Sequence, residues 1–349
     1  MWNYVVRRLL LIIPTLLGIV TINFFIINLA PGGPIDQIEA QMRAEATTYT
    51  GLASDYTQQQ ADRQIDQGTI NKLKKEFGFD QPLFTRYIKL LWSYARFDFG
   101  VSFYKGKQVS SMLWEALPVS LGITILSLFC ILLVSIPLGI LKAIRHGQVF
   151  DWITTLIIGT SYATPAFIFA IWLLIFFAGG SFWNWFPVRG LSSEMSETFT
   201  WFQKITDYLW HLILPVLSIV LGHFARPALA TKNALSDEMG KLYVIAVRAK
   251  GASESHILLQ HCLKNALLVI FSTVPYMFLS IFFYTTLMIE FVFSLEGIGY
   301  LGYEAVTTRD YPVMFATIYL FSFSSLILVL FFDVLYSYLD PRVNLNDKR

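Results

Sequence analysis

Long uncharged apolar runs alternate with short polar stretches along almost the whole chain. Leu9–Ala30 is uncharged for 22 residues and Ala116–Leu141 for 26. Asp151 and Arg189 bracket 37 uncharged residues, enough for one span and an interfacial tail holding Trp183 and Trp185. Tyr208–Ala225 is broken only by His211 and His223, and Asn265–Ile289 and Tyr311–Phe332 complete the set. Crossing about 30 Å of hydrocarbon takes roughly 20 helical residues. The pattern therefore predicts six transmembrane helices, each closing its own backbone hydrogen bonds as lipid requires. Pro14, Pro137, Pro165, Pro215 and Pro275 fall inside these runs. Proline frees a carbonyl and bends a helix, so bent packing helices or a moving pathway are both consistent with them.

The one long polar interruption, residues 35–115, has two parts. Residues 35–70 show little apolar periodicity and carry Gln58, Gln59 and Gln60, the composition of a loosely ordered excursion. Residues 71–115 are rich in aromatics, with Leu83, Tyr87 and Leu91 at helical spacing. They predict a small packed lobe, either a cap over the outer mouth or a docking surface for an extracytoplasmic partner.

Only 14% of the 349 residues are charged and 55% are apolar, against roughly a quarter charged in soluble domains, which sets the class as integral membrane protein. With the N-terminus inside, thirteen basic residues fall in cytoplasmic segments, among them Arg7, Arg8, Lys142, Arg145, Lys232 and Lys250. The short outer loops hold three, Arg189, Lys204 and Arg309. Both termini are expected to be cytoplasmic. The first run exceeds the 7–15 residues of a signal-peptide core and no convincing A-x-A site follows, so it is expected to stay as an anchor helix. Cys130 lies in a span and Cys262 in a cytoplasmic loop, so neither a disulfide nor a C-x-x-C metal site is expected.

Two glycine motifs imitate nucleotide sites. Gly297-Ile-Gly299-Tyr300-Leu301-Gly302 matches G-x-G-x-x-G, yet it follows a membrane helix instead of a strand, so close backbone approach in an outer loop is the better reading. GVSFYKGKQ from Gly100 has five residues between its glycines and Gln108 where a magnesium-binding hydroxyl belongs. There is no H-E-x-x-H and no G-x-S-x-G; His256 and His261, five apart, share a helix face poorly. Glu290, at the outer end of the fifth run, is the one acidic group that reads as a possible pathway residue, or else as the mark of the helix end.

Between the fourth and fifth runs the chain reads RAKGASESHILLQHCLKNA from Arg248. YVIAVRAK is helix-compatible and stops at Gly251, a natural terminator. Ser253 is a good N-cap, with Glu254 in the first turn. Leu258/Cys262 and Leu259/Leu263 then give an apolar stripe, so a short amphipathic helix is expected across the inner face of the membrane. Such a helix either lies on anionic lipid or serves as a lever inserted into a cytoplasmic protein, and spacing alone does not separate the two.

These residues resemble the cytoplasmic coupling loop of type I ABC importer permeases, in its dipeptide and oligopeptide branch. Ala246, Arg248, Ala249, Lys250 and Gly251 match the A-R-A-K-G form, although Ile245 stands where the glutamate of the motif belongs. Agreement extends to RRLLLIIPTLLGIVTINFFIINLAPGGP, to FGFDQPLFTRYIKLLWSYARFDFGVSF, to IEFVFSLEGIGYLGYEAVTTRDYPVM and to the ending Asp340-Pro341-Arg342. The resemblance implies an all-α, six-span type I ABC importer permease fold in the bacterial inner membrane. It divides the chain into the N-terminus and first helix (1–34), an extracytoplasmic insert (35–115), a five-helix permease core (116–343) with its coupling loop at about 236–264, and a tail (344–349). It implies uptake of oligopeptides or peptide-like compounds of the microcin C type, with a second homologous permease, cytoplasmic ATPase modules that bind the ATP, a periplasmic peptide-binding protein and membrane lipid as partners. No cofactor, metal or nucleic acid is implied. The coupling residues it points to are Arg248, Ala249, Lys250, Gly251, Ala252, Ser253, His256, Ile257 and Gln260. Arg248 and Lys250 would pair with acids or helix C-termini of the ATPase. Another cargo such as nickel is the nearest alternative. A secondary transporter would show inverted repeats and several intramembrane charges, and an intramembrane hydrolase a nucleophile or metal cluster; the sequence offers neither.

Overall fold

The computed structural model describes residues 2–29, 81–180, 182–193 and 198–339. The expected loose excursion at 35–70, the rest of the insert up to residue 80 and the tail from 340 lie outside the described residues. Among the described residues the structure is helical apart from one isolated antiparallel bridge, Val101 to Gln108. The helices are α1 (Trp2–Leu29), α2 (Leu83–Ala95), α3 (Val109–Ile144), α4 (Val149–Ala163), α5 (Ala166–Phe177), α6 (Trp201–His223), α7 (Ala225–Met239), α8 (Leu242–Ala249), a continuous run α9 (Glu254–Phe293), α10 (Ile298–Thr307) and α11 (Tyr311–Leu339).

Five of these, α1, α3, α6, α9 and α11, are long and apolar enough to cross a bilayer. The sixth span expected after Asp151 is instead the pair α4 and α5, bent by 100°. At 1.5 Å per residue its 15- and 12-residue halves reach about 22 and 18 Å, each short of the hydrocarbon thickness. The break has a local cause. Pro165 forces Thr164 into extended backbone (φ −100°, ψ 119°) and supplies no N–H to continue the helix.

The chain forms two compact units. The first comprises Met1–Val5, Trp114–Tyr303 and Ser324–Arg349. Its core draws Ile123 and Ile131 from α3, Ala170 from α5, Leu212 and Ile219 from α6, and Ile281 and Ile289 from α9. Helix α3 shows how a uniformly apolar run still sorts its faces. Ser120, Thr124, Ser127, Ile131 and Ser135 face inward and are buried, whereas Ile125, Phe129 and Leu133 are exposed. Small and hydroxyl residues inside, large apolar ones toward lipid, is the rule where water supplies no driving force between helices. Ser135 also donates to the Phe224 carbonyl (2.9 Å), which sits at the break between α6 and α7.

On one side of this unit α3, α4 and α7 are joined by charge. Lys142 is wholly buried, and its Nζ reaches Asp151 Oδ1 (2.7 Å), the Asp151 carbonyl (2.9 Å) and the hydroxyls of Thr154 and Thr155 (2.8 Å each). Lys232 from α7 meets the same carboxylate at 2.9 Å, and the Gly147 N–H donates to it. A buried ion pair is tolerated only when its remaining hydrogen-bonding capacity is met, as it is here, and removing one partner of such a pair costs about 3–5 kcal/mol.

The second unit comprises Val6–Leu113 and Glu304–Phe323. Helix α2 forms where Leu83, Tyr87 and Leu91 predicted it, and it packs on α1 and α11. Tyr87 bonds Thr21 (2.7 Å) and packs its ring at a tilt against Phe24, and Tyr94 meets Tyr319 edge-on. Phe97, left-handed at φ +58°, turns the chain so that its ring lands on Phe99 and Phe323. The phosphate-loop look-alike that follows cradles a carboxylate. The Ser102 hydroxyl donates to Asp310 Oδ2 (2.5 Å), and the backbone N–H groups of Phe103 and Tyr104 also point at that side chain.

The tightest helix crossing in the first unit is testable. A Cβ on Gly139 would overlap Thr231 Cβ and the Ala228 carbonyl, whereas one on Gly159 would meet nothing within 4 Å. Gly139→Ala is expected to lose about 1–3 kcal/mol from overpacking, and Gly159→Ala close to none, read as thermal unfolding of the detergent-solubilised protein.

Candidate coupling site

Helix α7 carries the chain past the end of α6 and stops at Gly240. Helix α8 follows, then Lys250 and Gly251. Gly251 takes φ +86°, a left-handed conformation open to glycine and strained for other residues, and it makes the elbow between α8 and α9. As expected, Ser253 caps the next helix, accepting from the His256 N–H (3.4 Å).

The expected short crosswise helix is not a separate element. Glu254 begins a 40-residue helical run that continues into the fifth span without a break. No glycine or proline lies between Ala252 and Pro275, so nothing in the sequence ends the helix there. A π-turn over Ile257–Cys262 takes up the change instead. Its i→i+5 bonding also corrects the reading of the two histidines. Five residues apart is in register within a π-turn, and the His256 and His261 rings meet at 5.6 Å.

Of the residues expected to couple, Arg248, Ala249, Lys250, Gly251, Ser253, His256 and Gln260 are exposed, Ala252 is half-buried, and Ile257 is buried. Ile257 therefore belongs to the protein's own core. With Ala143, Leu235, Val244, Cys262 and Ala266 it forms the cluster that seats α8 and the start of α9 on α3 and α7. Arg248 is already engaged by this chain. Its Nε and Nη2 donate to the two carboxylate oxygens of Glu254 at 2.6 and 2.9 Å, spanning the elbow. Bidentate geometry fixes orientation even where exposure keeps the energy small. Lys250, the other cation of the A-R-A-K-G stretch, is exposed as well.

Glu238, which the sequence reading passed over, organises this site from beneath. It is buried at the end of α7. Oε1 accepts from Tyr243 Oη (2.8 Å) and Asn265 Nδ2 (2.7 Å), and Oε2 from Lys241 Nζ. One carboxylate thus ties α7, α8 and α9 together. Burial favours the neutral acid, but the donors from Lys241, Asn265 and Tyr243 outweigh it and hold Glu238 below its ordinary value. Burial and the bond to Glu238 push the Tyr243 phenol up to about 12. Partners 27 residues apart leave no periodic signal; the available clue was a glutamate just ahead of Gly240, followed by a tyrosine and, in the next helix, an asparagine.

Glu290 lies elsewhere, at the far end of α9, and is fully buried. Oε1 accepts from Ser120 Oγ (2.5 Å) and Oε2 from the Tyr300 N–H (2.9 Å), while Ser120 in turn accepts from the Ile298 N–H (2.9 Å). The G-x-G-x-x-G segment is therefore the cradle of an internal carboxylate. Glu290 sits against Gly297 so closely that a Cβ there would overlap it, and the N-terminus of α10 supplies the donors an anion favours. This placement ties Glu290 to the turn between α9 and α10. Among the described residues no group of three metal-ligating side chains is assembled.

Among the described residues, five long apolar helices, one bent pair and an exposed elbow seated on its own small core fit a membrane transport subunit. The chain belongs to the binding-protein-dependent transport system inner membrane component family, whose pattern matches residues 135–345. It is a multi-pass permease subunit of an inner-membrane ABC transporter, working in a complex with an ATPase and a binding protein, and is not the catalytic subunit. It is 46% identical to the inner membrane ABC transporter permease protein YejB of Escherichia coli O157:H7, over 99% of both chains. It is 42% identical to the peptidoglycan transport system permease protein YejB of Agrobacterium fabrum, over 99% of this chain and 98% of that one. Identity to the oligopeptide transport system permease protein AppB of Bacillus subtilis is 30%, over 97% and 98%.

Glu238 gives a pH prediction with a definite sign. A carboxyl held low in the folded state contributes stability above the ordinary carboxylate range and loses it as pH falls through its folded value. The unfolding temperature of the wild type should exceed that of Glu238→Gln at neutral pH, and the gap should close on acidification.

Proposed function

We propose that this chain forms one half of the translocation pathway of an importer for peptides or peptide-bearing compounds, and that the segment from Arg248 to Gln260 receives the stroke of a cytoplasmic ATPase. The observation that carries this reading is the elbow. Gly251 holds two helix ends at an angle, the apolar cluster of Val244 and Ile257 fixes them to α3 and α7, and Lys250, Ser253, His256 and Gln260 are left exposed on one surface. A push on that surface moves α8 and α9 together with α7, because Glu238 of α7 accepts from Tyr243 of α8 and Asn265 of α9.

In this reading both termini and the elbow are cytoplasmic, and a second, homologous permease supplies the other wall. ATP is bound by the partner ATPase, and this chain needs no cofactor. A binding protein delivers cargo from the opposite side. The cargo class rests on relatives named for oligopeptide and peptidoglycan transport, substrates that share a peptide portion.

Gly251→Pro and Ala252→Trp test the assignment. Proline cannot adopt φ +86° and indole would overfill a half-buried site beside the elbow. Both variants are expected to reach the membrane at normal levels while peptide uptake falls to background; uptake at the wild-type rate by either would remove the elbow from the mechanism.

A further inference from the structure

Helix α2 falls in the segment expected to form an extracytoplasmic lobe, and its partners lie in the apolar spans of α1 and α11. Tyr87, midway along α2, bonds Thr21 and packs its ring at a tilt against Phe24, both inside the apolar span Tyr4–Ile26 of α1. Just past the end of α2, Phe97 packs on Phe323 with ring centroids 5.2 Å apart. Phe323 lies twelve residues into α11 from Tyr311, about 18 Å along its axis. The apolar span of α11, Tyr311–Leu335, is 25 residues, so it exceeds the hydrocarbon thickness by only about 7 Å. Even with all that excess standing outside at the Tyr311 end, Phe323 and the ring against it sit about 10 Å inside the apolar layer.

The free side of α2 fits that depth. Phe84, Ile88 and Trp92 recur at i, i+4 and i+8 and are 75%, 47% and 61% exposed, while Tyr94 on the packed side is buried. At one edge of this apolar face stand Lys89 and Arg96, both exposed, and the Arg96 guanidinium lies 4.5 Å over the Trp92 ring. A protein-packed face, an apolar face and a basic edge, in that order around the helix, is the arrangement of a helix lying in the membrane interface. Tryptophan at the edge and basic side chains snorkelling toward headgroups complete it.

We propose that α2 is an interfacial membrane helix: Phe84, Ile88 and Trp92 lie among the acyl chains of the outer leaflet, and Lys89 and Arg96 reach phospholipid phosphates. The occupant of this face is lipid, because a water-facing or protein-docking role would leave α2 anchored through Tyr87 and Phe97 to residues that are themselves inside the apolar layer. The inference does not depend on the coupling assignment.

The test uses the assembled transporter, rendered cysteine-free, in liposomes of phosphatidylcholine and phosphatidylglycerol. Single cysteines replace Phe84, Ile88 or Lys89 and carry a nitroxide. At positions 84 and 88 dissolved oxygen should relax the label more than a water-soluble nickel chelate does, and at position 89 the order should reverse. Chelate dominance at 84 and 88 would put the face in water and overturn the proposal. Exclusion of both reagents would put a protein surface there, a second permease or a binding protein, and would overturn it equally. Trp92→Phe gives a reading that survives poor assembly of the labelled forms. Brominated phosphatidylcholine should quench an increment of tryptophan fluorescence in the wild type that the variant lacks, and an equal quench in both would also overturn the proposal.

Discussion

Hydrocarbon offers no hydrogen-bond partner, so each polar group held within the bilayer's span must find its match in the same chain or its immediate neighbours. Burial from water imposes the same demand wherever it occurs, and this protein's carboxylates meet it. Glu290, Asp151, Glu238 and Asp310 each collect donors from separate segments: a hydroxyl and a helix N-terminus, two lysines, a phenol with an amide and an ammonium, a serine and two backbone N–H groups. Each joint is local to its own unit, and each fixes a turn or helix end that apolar packing alone would leave free to slide.

The elbow at Gly251 inherits its rigidity from this arrangement. Helix α8 is eight residues long, too short to be stable on propensity alone. It keeps its place because Val244 is sunk in the cluster with Leu235 and Ile257, and because Glu238 holds Tyr243 from below. Moving the elbow therefore means moving α7 and the start of α9 as one body.

How much of this was legible in the sequence depends on whether a signal was periodic or spatial. The long spans were, because hydropathy over about twenty residues is a one-dimensional property; so were α2, from Leu83, Tyr87 and Leu91, and the stop at Gly251 with its Ser253 cap. The 100° bend hid inside an uncharged run, although Pro165 marked the place. The π-turn left no trace, so the spacing of His256 and His261 was judged by the wrong period. The carboxylate joints were invisible because Ser120 and Glu290 are 170 positions apart and Ser102 and Asp310 are 208 apart. That both glycine motifs serve as cradles for the chain's own acids is likewise a spatial fact, with no periodic signal behind it.

Lys142 carries a consequence for how such a chain comes to exist. By composition it is one of the basic residues whose count sets which loops stay in the cytoplasm, a rule that operates while the helices enter the membrane one after another. In the finished protein its ammonium has no contact with solvent and is enclosed by Asp151, Thr154 and Thr155. Those partners lie nine to thirteen residues further on, so at the moment Lys142 emerges its enclosure has not yet been made. The same charge would then serve twice, first as a free cation that orients a nascent hairpin and afterwards as an internal tie that holds the hairpin shut. Biogenesis and architecture make successive and incompatible demands on its hydration, and the order of synthesis reconciles them.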